Sequence, residues 1–302
     1  MTPERWTTRD DLIRFKPRHD SFVGVDSDGC VFDTMEIKQK QCFHTATVRL
    51  WNLGKVEAVA RETLEFVNLY SKWRGSNRFI SQVKVFELLR ERPEVRQAGV
   101  EVPLLVSLKK WVNSGVPLSN VHLEQAVEAT HDPELRLCLA WSREANDRIA
   151  KTVKKIPPFP WAERSLRRVC GQSDTLCVSQ TPAEALVREW TENGVMDTVA
   201  MIAGQELGTK AEHLRLATGG KYAPGRVLMI GDAPGDLKAA RENGALFFPI
   251  RPSSADESWA LFDREIYGRF LGGTYAGECE RRLIVEFEQE LPETPPWRNE
   301  VV

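Results

Sequence analysis

The sequence predicts an α/β protein: a parallel, Rossmann-like sheet core with an α-helical segment inserted after the first strand. Three observations carry that prediction. Short apolar runs recur at Phe22–Val25, 175–178, 199–203, 227–230 and 245–250, the first with β-branched members, and Asp26, Ser179, Gly204 and Gly231 follow the first four. From residue 161 onward these runs alternate with helical patterns, which implies a parallel sheet with right-handed crossovers. Between residues 35 and 155 no run reads as a strand, and Ile156-Pro157-Pro158-Phe159-Pro160 then breaks the chain. The division that follows is a sheet core from 1–34 and 157–302, with a helical module over 35–156.

Residues 1 to 20 are polar and irregular, with Trp6, Leu12, Ile13 and Phe15 available to pack onto the core. After the first strand, residues 35–51 lack breakers and read as a helix. Lys55 to Tyr70 places Val56, Val59, Ala60, Thr63, Leu64 and Val67 on one face. Further helices are expected over 79–90, 103–113, 119–130 and 133–155, with Trp51, Trp111 and Trp141 as bundle core. In the second half, Thr181-Pro182-Ala183-Glu184 and Thr209-Lys210-Ala211-Glu212 both read as capping boxes that open helices. The segment after Arg251 mixes helical pieces with prolines and has no assigned place.

Composition narrows the function. Lys+Arg 41 against Asp+Glu 43 gives a net charge of −2 with no long block of like charge, which argues against a nucleic-acid partner. The first twenty residues carry charges throughout, and no apolar run reaches the length of a membrane span. The 6 cysteines include no C-x-x-C pair, so neither a zinc cluster nor a disulfide framework is indicated. A soluble protein of a reducing cytoplasm, without membrane or nucleic-acid partners, is the expectation.

The chain is organised around Phe22 to Thr34, F-V-G-V-D-S-D-G-C-V-F-D-T. In an open parallel sheet ligands sit at the carboxyl ends of strands, so Asp26 and Asp28 are displayed where chemistry is done. Alternation along an extended chain points both one way and Ser27 the other. Two carboxylates at about 4 Å repel by about 4 kcal/mol at an effective dielectric constant of about 20, so a cation or a shared proton is required. An Asx-rich turn capping a helix is the bland alternative. Three more polar groups stand at strand ends or helix starts: Ser179, then Lys210, then the pair Asp232 and Asp236 in G-D-A-P-G-D. A lysine in a first helical turn opposes the helix dipole, so stability alone does not explain it.

D-x-D-G at Asp26–Gly29, a strand-terminal Ser179, Lys210 and G-D-x-x-x-D at 231–236, in that order, resemble the motifs of the haloacid dehalogenase-like superfamily. The likeness covers the sheet core and places the helical module where that family carries a type 1 cap. It implies a Mg²⁺-dependent phosphatase acting on a small phosphorylated metabolite. Asp26 would be the nucleophile forming an aspartyl-phosphate, and Asp28 the general acid and base. Mg²⁺ would be held by the Asp26 side chain, the Asp28 backbone carbonyl and Asp232, with Asp236 ligating directly or through water. Ser179 and the amides of the following helix start would hold phosphoryl oxygens, and Lys210 would compensate charge.

Alternatives remain at several positions. Ser179 also reads as a turn residue, Asp236 as a helix N-terminal carboxylate, and Lys221 competes with Lys210. Cys30 stands where the family usually has Thr or Val. Dehalogenase and phosphonatase branches lack the second aspartate of the first motif, so Asp28 argues against both. A phosphomutase would use the same residues, and a degenerate member would act as a binding module. Within the helical segment, Trp73-Arg74-Gly75-Ser76-Asn77-Arg78 is the candidate substrate-recognition loop, with Arg74, Asn77 and Arg78 as its polar groups; a solvated basic turn is the alternative.

Overall fold

Five short strands, β1 (Phe22–Val25), β2 (Asp174–Val178), β3 (Met201–Ala203), β4 (Val227–Gly231) and β5 (Leu246–Pro249), pair in parallel in the order β3-β2-β1-β4-β5. They belong to a computed structural model that describes residues 7–298. Trp6, expected to pack on the core, lies outside those residues. Helices cover both faces, which is why the strands read as continuous apolar runs rather than alternating ones. Val23 and Val25 enter one layer with Leu166, Trp190 and Trp259, while Phe22 enters the other with Leu214, Leu237 and Phe287. Gly24 suits the close packing, since a Cβ there would lie 2.9 Å from Leu214 Cδ2 and displace that side chain.

Strand order places β1 at the centre. The chain goes from β1 to β2 on one side and later from β3 to β4 on the other, so the crevice at the carboxyl ends of β1 and β4 is a topological switch point. That is where a doubly wound sheet offers a ligand site.

The described chain divides into two compact units. Among the described residues, a sheet unit comprises 7–34 and Lys155–Leu291, and a helical unit comprises Met35–Lys154 and 292–298. In the helical unit, Lys38–Phe43 is π-helical and runs straight into the helix His44–Leu50. Helices Glu57–Leu69, Arg78–Glu91, Val106–Val112, Asn120–Thr130 and Pro133–Thr152 complete the bundle around edge-on aromatic pairs. Trp51 meets Phe86 at 5.1 Å and Trp141 at 5.9 Å, and Phe79 meets Trp111 at 5.2 Å. No described helix is long and apolar enough to cross a membrane.

Away from the site, the structure departs from the sequence expectations at four places. Residues Arg9–Arg14 form a helix closed by a Thr8–Asp11 capping box, and Leu12 on it is buried in the core, so this stretch is not irregular. Pro160 does not end a break but opens the helix Pro160–Val169, because proline at a first helical position loses no hydrogen bond. The region after Arg251 is helical over Ala255–Leu261, Tyr267–Leu271 and Glu278–Glu290, and these helices cover the sheet. The chain from Pro292 belongs with the helical unit, not the sheet core: Trp297 meets Phe66 at 5.3 Å and lies under the Arg92 guanidinium at 4.5 Å.

Candidate functional site

The turn after β1 is built by its own backbone. The Ser27 carbonyl accepts from the amides of Cys30, Val31 and Phe32, and Gly29 N donates to Phe32 O at 2.8 Å. Gly29 sits at φ 76°, a conformation that disfavours any side chain. Trp259 Nε1 donates to the Cys30 carbonyl at 2.7 Å, so packing locks the turn from one side of the sheet. Ser27 points to that same side, where its hydroxyl accepts from Trp190 Nε1 at 3.0 Å. Asp26 points to the other. Cys30 is wholly buried, and burial with three nearby aspartates pushes its thiol well above the usual range, so it is an inert packing residue.

Asp26 is 5 % exposed, and its Oδ2 lies 2.7 Å from Lys210 Nζ. Lys210 reaches it from the first turn of the helix Lys210–Thr218, which opens with the expected Thr209–Glu212 capping box. The same ammonium donates to Asp236 Oδ1 at 2.6 Å. Burial works against the lysine's charge, but Asp236 and Asp26 outweigh it and raise its pKa above the ordinary range. Lys221 is elsewhere, donating to the carbonyls of Leu12 at 3.0 Å and Leu216 at 3.2 Å.

The G-D-x-x-x-D motif has a steric reason. A Cβ on Gly231 would fall 2.3 Å from Asp236 Cγ, so only glycine lets that carboxylate fold back against the strand end. Asp236 Oδ2 accepts from Ala233 N at 3.1 Å, closing the turn into the helix Pro234–Glu242. Burial, with Asp26 and Asp232 beside it, pushes Asp236 up to about 7 although Lys210 opposes the shift. Asp26, Asp232 and Asp236 are all buried and each offers an oxygen within 4.8 Å of the others. One ammonium among three carboxylates leaves the cluster deficient in positive charge, and a donor set made wholly of carboxylate oxygen suits a hard divalent ion. The residues therefore fit Mg²⁺.

Asp28 stands apart from that trio. Its Oδ1 accepts from the Thr34 hydroxyl and its Oδ2 from Thr181 Oγ1 at 2.6 Å. Repulsion between the two aspartates of the turn is thus relieved by different partners, an ammonium for one and hydroxyls for the other. Ser179 follows β2, is 1 % exposed, and accepts from Thr181 N at 3.3 Å. The expected Thr181 capping box does not form, because its hydroxyl is spent on Asp28. The helix begins at Ala183, whose amide is taken by Glu206 at 3.0 Å. A carboxylate already occupies that amide, so the expected anion cradle at the helix start is corrected there. The contacts of Thr181 with Asp28 and of Glu206 with the Ala183 amide are ones the sequence does not announce.

Arg74, Asn77 and Arg78 lie in the helical unit. Arg74 is 4 % exposed, with Nη1 donating to the Leu69 carbonyl at 3.0 Å. Asn77 caps the helix Arg78–Glu91 by accepting from Phe79 N at 3.0 Å. Arg78 donates to Ser142 Oγ at 3.0 Å and Asn146 Oδ1 at 2.6 Å, above the Phe43 ring. Burial draws its pKa down to about 10.

Fold and site together define a doubly wound α/β protein with a buried, lysine-linked carboxylate cluster at its switch point. No protein-family model and no curated protein matches the chain. Among solved structures it is similar to a predicted phosphoglycolate phosphatase of Haemophilus somnus, at 13 % identity over 76 % of this chain and 84 % of that one, TM-score 0.47. A β-phosphoglucomutase of Clostridium difficile is similar at 15 % identity over 84 % and 98 %, TM-score 0.48. A haloacid dehalogenase-like hydrolase of Streptococcus pneumoniae is similar at 15 % identity over 81 % and 91 %, TM-score 0.41. These are likenesses of chain trace at low identity, and what the site can do is set by its own residues.

Proposed function

We propose that the chain is a Mg²⁺-dependent phosphomonoester hydrolase of the haloacid dehalogenase-like superfamily, acting on a small phosphorylated metabolite through an aspartyl-phosphate. The observation that carries this reading is the Asp26 carboxylate, buried at the switch point, ion-paired to Lys210 and within 4.8 Å of two further carboxylates. An Asp26 oxygen attacks phosphorus, the bond from phosphorus to the ester oxygen breaks, and Asp28 delivers its proton to the departing alkoxide. Water then attacks the aspartyl-phosphate, Asp28 takes the water proton, and the bond from phosphorus to Asp26 breaks to release inorganic phosphate. Lys210 neutralises Asp26 and the transferring group, and the Ser179 hydroxyl offers a hydrogen bond to a phosphoryl oxygen. Asp26, Asp232 and the Asp28 carbonyl, with Asp236 adjoining, would hold Mg²⁺, which would supply positive charge against the phosphoryl group. Arg74, Asn77 and Arg78 are proposed as recognition groups of the helical unit.

The test is phosphate release from p-nitrophenyl phosphate and from a panel of sugar, nucleotide and organic-acid phosphates, with and without Mg²⁺. Mg²⁺-dependent release that vanishes in Asp26→Asn is expected. Isomerisation of a sugar phosphate without net phosphate release would make the acceptor a substrate hydroxyl instead of water. Absence of any phosphoryl transfer would overturn the reading.

A further inference from the structure

We infer that Thr181 is a positioning residue for Asp28, orienting its carboxylate for proton transfer to the leaving oxygen; this rests on the phosphatase reading above. The local sequence favours a different use of this side chain. Thr181-Pro182-Ala183-Glu184 has the pattern of a capping box, in which the threonine hydroxyl would accept from a backbone amide of the first turn. Instead, the hydroxyl donates to Asp28 Oδ2 at 2.6 Å, and the cap is supplied from another segment: Glu206 takes the Ala183 amide at 3.0 Å. The replacement cap is tightly seated, because a Cβ on Gly204 would lie 2.7 Å from Ala183 N and 2.8 Å from Glu206 Oε2. Threonine is thereby released from helix capping.

The released residue is itself held at both backbone ends. Thr181 N donates to Ser179 Oγ at 3.3 Å, and the Thr181 carbonyl accepts from Gln205 N at 3.1 Å. With the Thr34 hydroxyl on Oδ1, the two hydroxyls fix both oxygens of Asp28, which removes the rotation of the carboxyl group. A general acid works only when its proton is aimed at the leaving atom, so an isosteric loss of the Oδ2 partner costs orientation and leaves the acid chemically present. The Ser179–Thr181 bond also ties the expected phosphoryl-binding hydroxyl to the Asp28 partner, so both groups are placed by one turn.

Leaving-group dependence separates this role from a structural one. Phenyl phosphate has a poor leaving group that needs a proton, whereas 2,4-dinitrophenyl phosphate departs without one. The parameter is kcat/KM, which reports the steps up to aspartyl-phosphate formation and not its hydrolysis. Thr181→Val is expected to lower kcat/KM for phenyl phosphate by about 10-fold or more, a part of the roughly 10² to 10⁴ that a positioned acid supplies, and for 2,4-dinitrophenyl phosphate by less than about 3-fold. Thr181→Ser, which keeps the hydroxyl, restores the phenyl phosphate value. The ratio of the two substrates in one preparation does not depend on how much of the variant folds. Equal losses on both substrates, or no rescue by serine, overturn the positioning role and leave the phosphatase reading standing. If Asp28→Asn shows no such leaving-group selectivity while Asp26→Asn is inactive, Asp28 is not the acid and the inference falls with that assignment.

Discussion

Arg92 in the helical unit meets Glu62 at 2.8 Å and Glu94 at 3.0 Å, and both glutamates are about half exposed, so water shares the task of balancing them. Lys210 in the sheet unit faces Asp26 and Asp236 at 2.7 and 2.6 Å with Asp232 close by; the three carboxylates are buried and the lysine side chain is only 14 % exposed. The first arrangement needs no ligand, because its surplus negative charge stands in solvent. In the second, Asp26 and Asp236 share one ammonium with the Asp232 carboxylate within 4.8 Å, where burial limits what solvent can offset, a configuration that fold stability alone does not favour. The contrast teaches that burial of charge is not by itself a sign of function; an unbalanced sum is.

The largest effect expected from this contrast is on turnover. Asp26→Asn removes the proposed nucleophile and should lower kcat by at least about 10³-fold. Its melting temperature in metal-free buffer should stay near that of the parent, because a like charge leaves the cluster while Lys210 keeps Asp236. A collapse of stability alongside activity would mean that the cluster is structural after all, like Arg92. The converse is expected in the helical unit. Trp141 is 2 % exposed, packs on Trp51 and Phe79, and donates to Thr47 Oγ1 at 2.9 Å. Trp141→Ala should cost about 3–5 kcal/mol in urea unfolding.

Next in size is the response to an ion. Mg²⁺ that binds only the folded protein stabilises it by about 2.7 kcal/mol at a hundredfold excess over Kd. A thermal melt with and without MgCl₂ should show that gain in the parent and lose it in Asp232→Asn, whose apo form is no less stable. An unchanged melting temperature across millimolar MgCl₂ would count against the cluster as a cation site.

How far the sequence discloses all this depends on the range of the forces involved. Strand runs, helix faces and the Thr209 capping box are local, and the structure reproduces them at their expected places. Lys210 was separable from Lys221 because a helix must fit between the lysine and β4, and Lys221 indeed serves the carbonyls of Leu12 and Leu216. Thr181 was not legible: its local pattern is a cap, and only the distant Glu206, brought in by the loop after β3, frees it for Asp28. The helix Glu278–Glu290 follows Gly277 at φ 94° with no side-chain cap, so it carries no start signal to read. Pro160 misleads in the opposite sense, since a third proline in five residues looks like a break and serves as a first helical position.

The smallest effect concerns a buried base in the helical unit, and it sets a titration against the unbalanced cluster of the sheet unit. His44 is fully buried, and among the described residues neither ring nitrogen has a hydrogen-bond partner. Burial, aided by the charges of Arg61 and Lys40, lowers its pKa to about 3. The folded protein therefore holds His44 neutral, while the unfolded chain protonates it near pH 6.5. Because the unfolded state binds the extra proton, this group's contribution is fully present above pH 6.5 and is lost as pH falls from there towards 3, by up to about 1.4 kcal/mol per pH unit. Carboxylates titrate over part of the same range, so the decisive quantity is a difference between two proteins. His44→Leu should match or exceed the parent at pH 7.5, since it removes two buried nitrogens without partners. Urea melts between pH 6.5 and 4.5 should then show the parent losing stability more steeply than the variant. Parallel curves would mean that water or a rearranged neighbour reaches the imidazole, and that the helical unit's core is less closed than the packing around His44 implies.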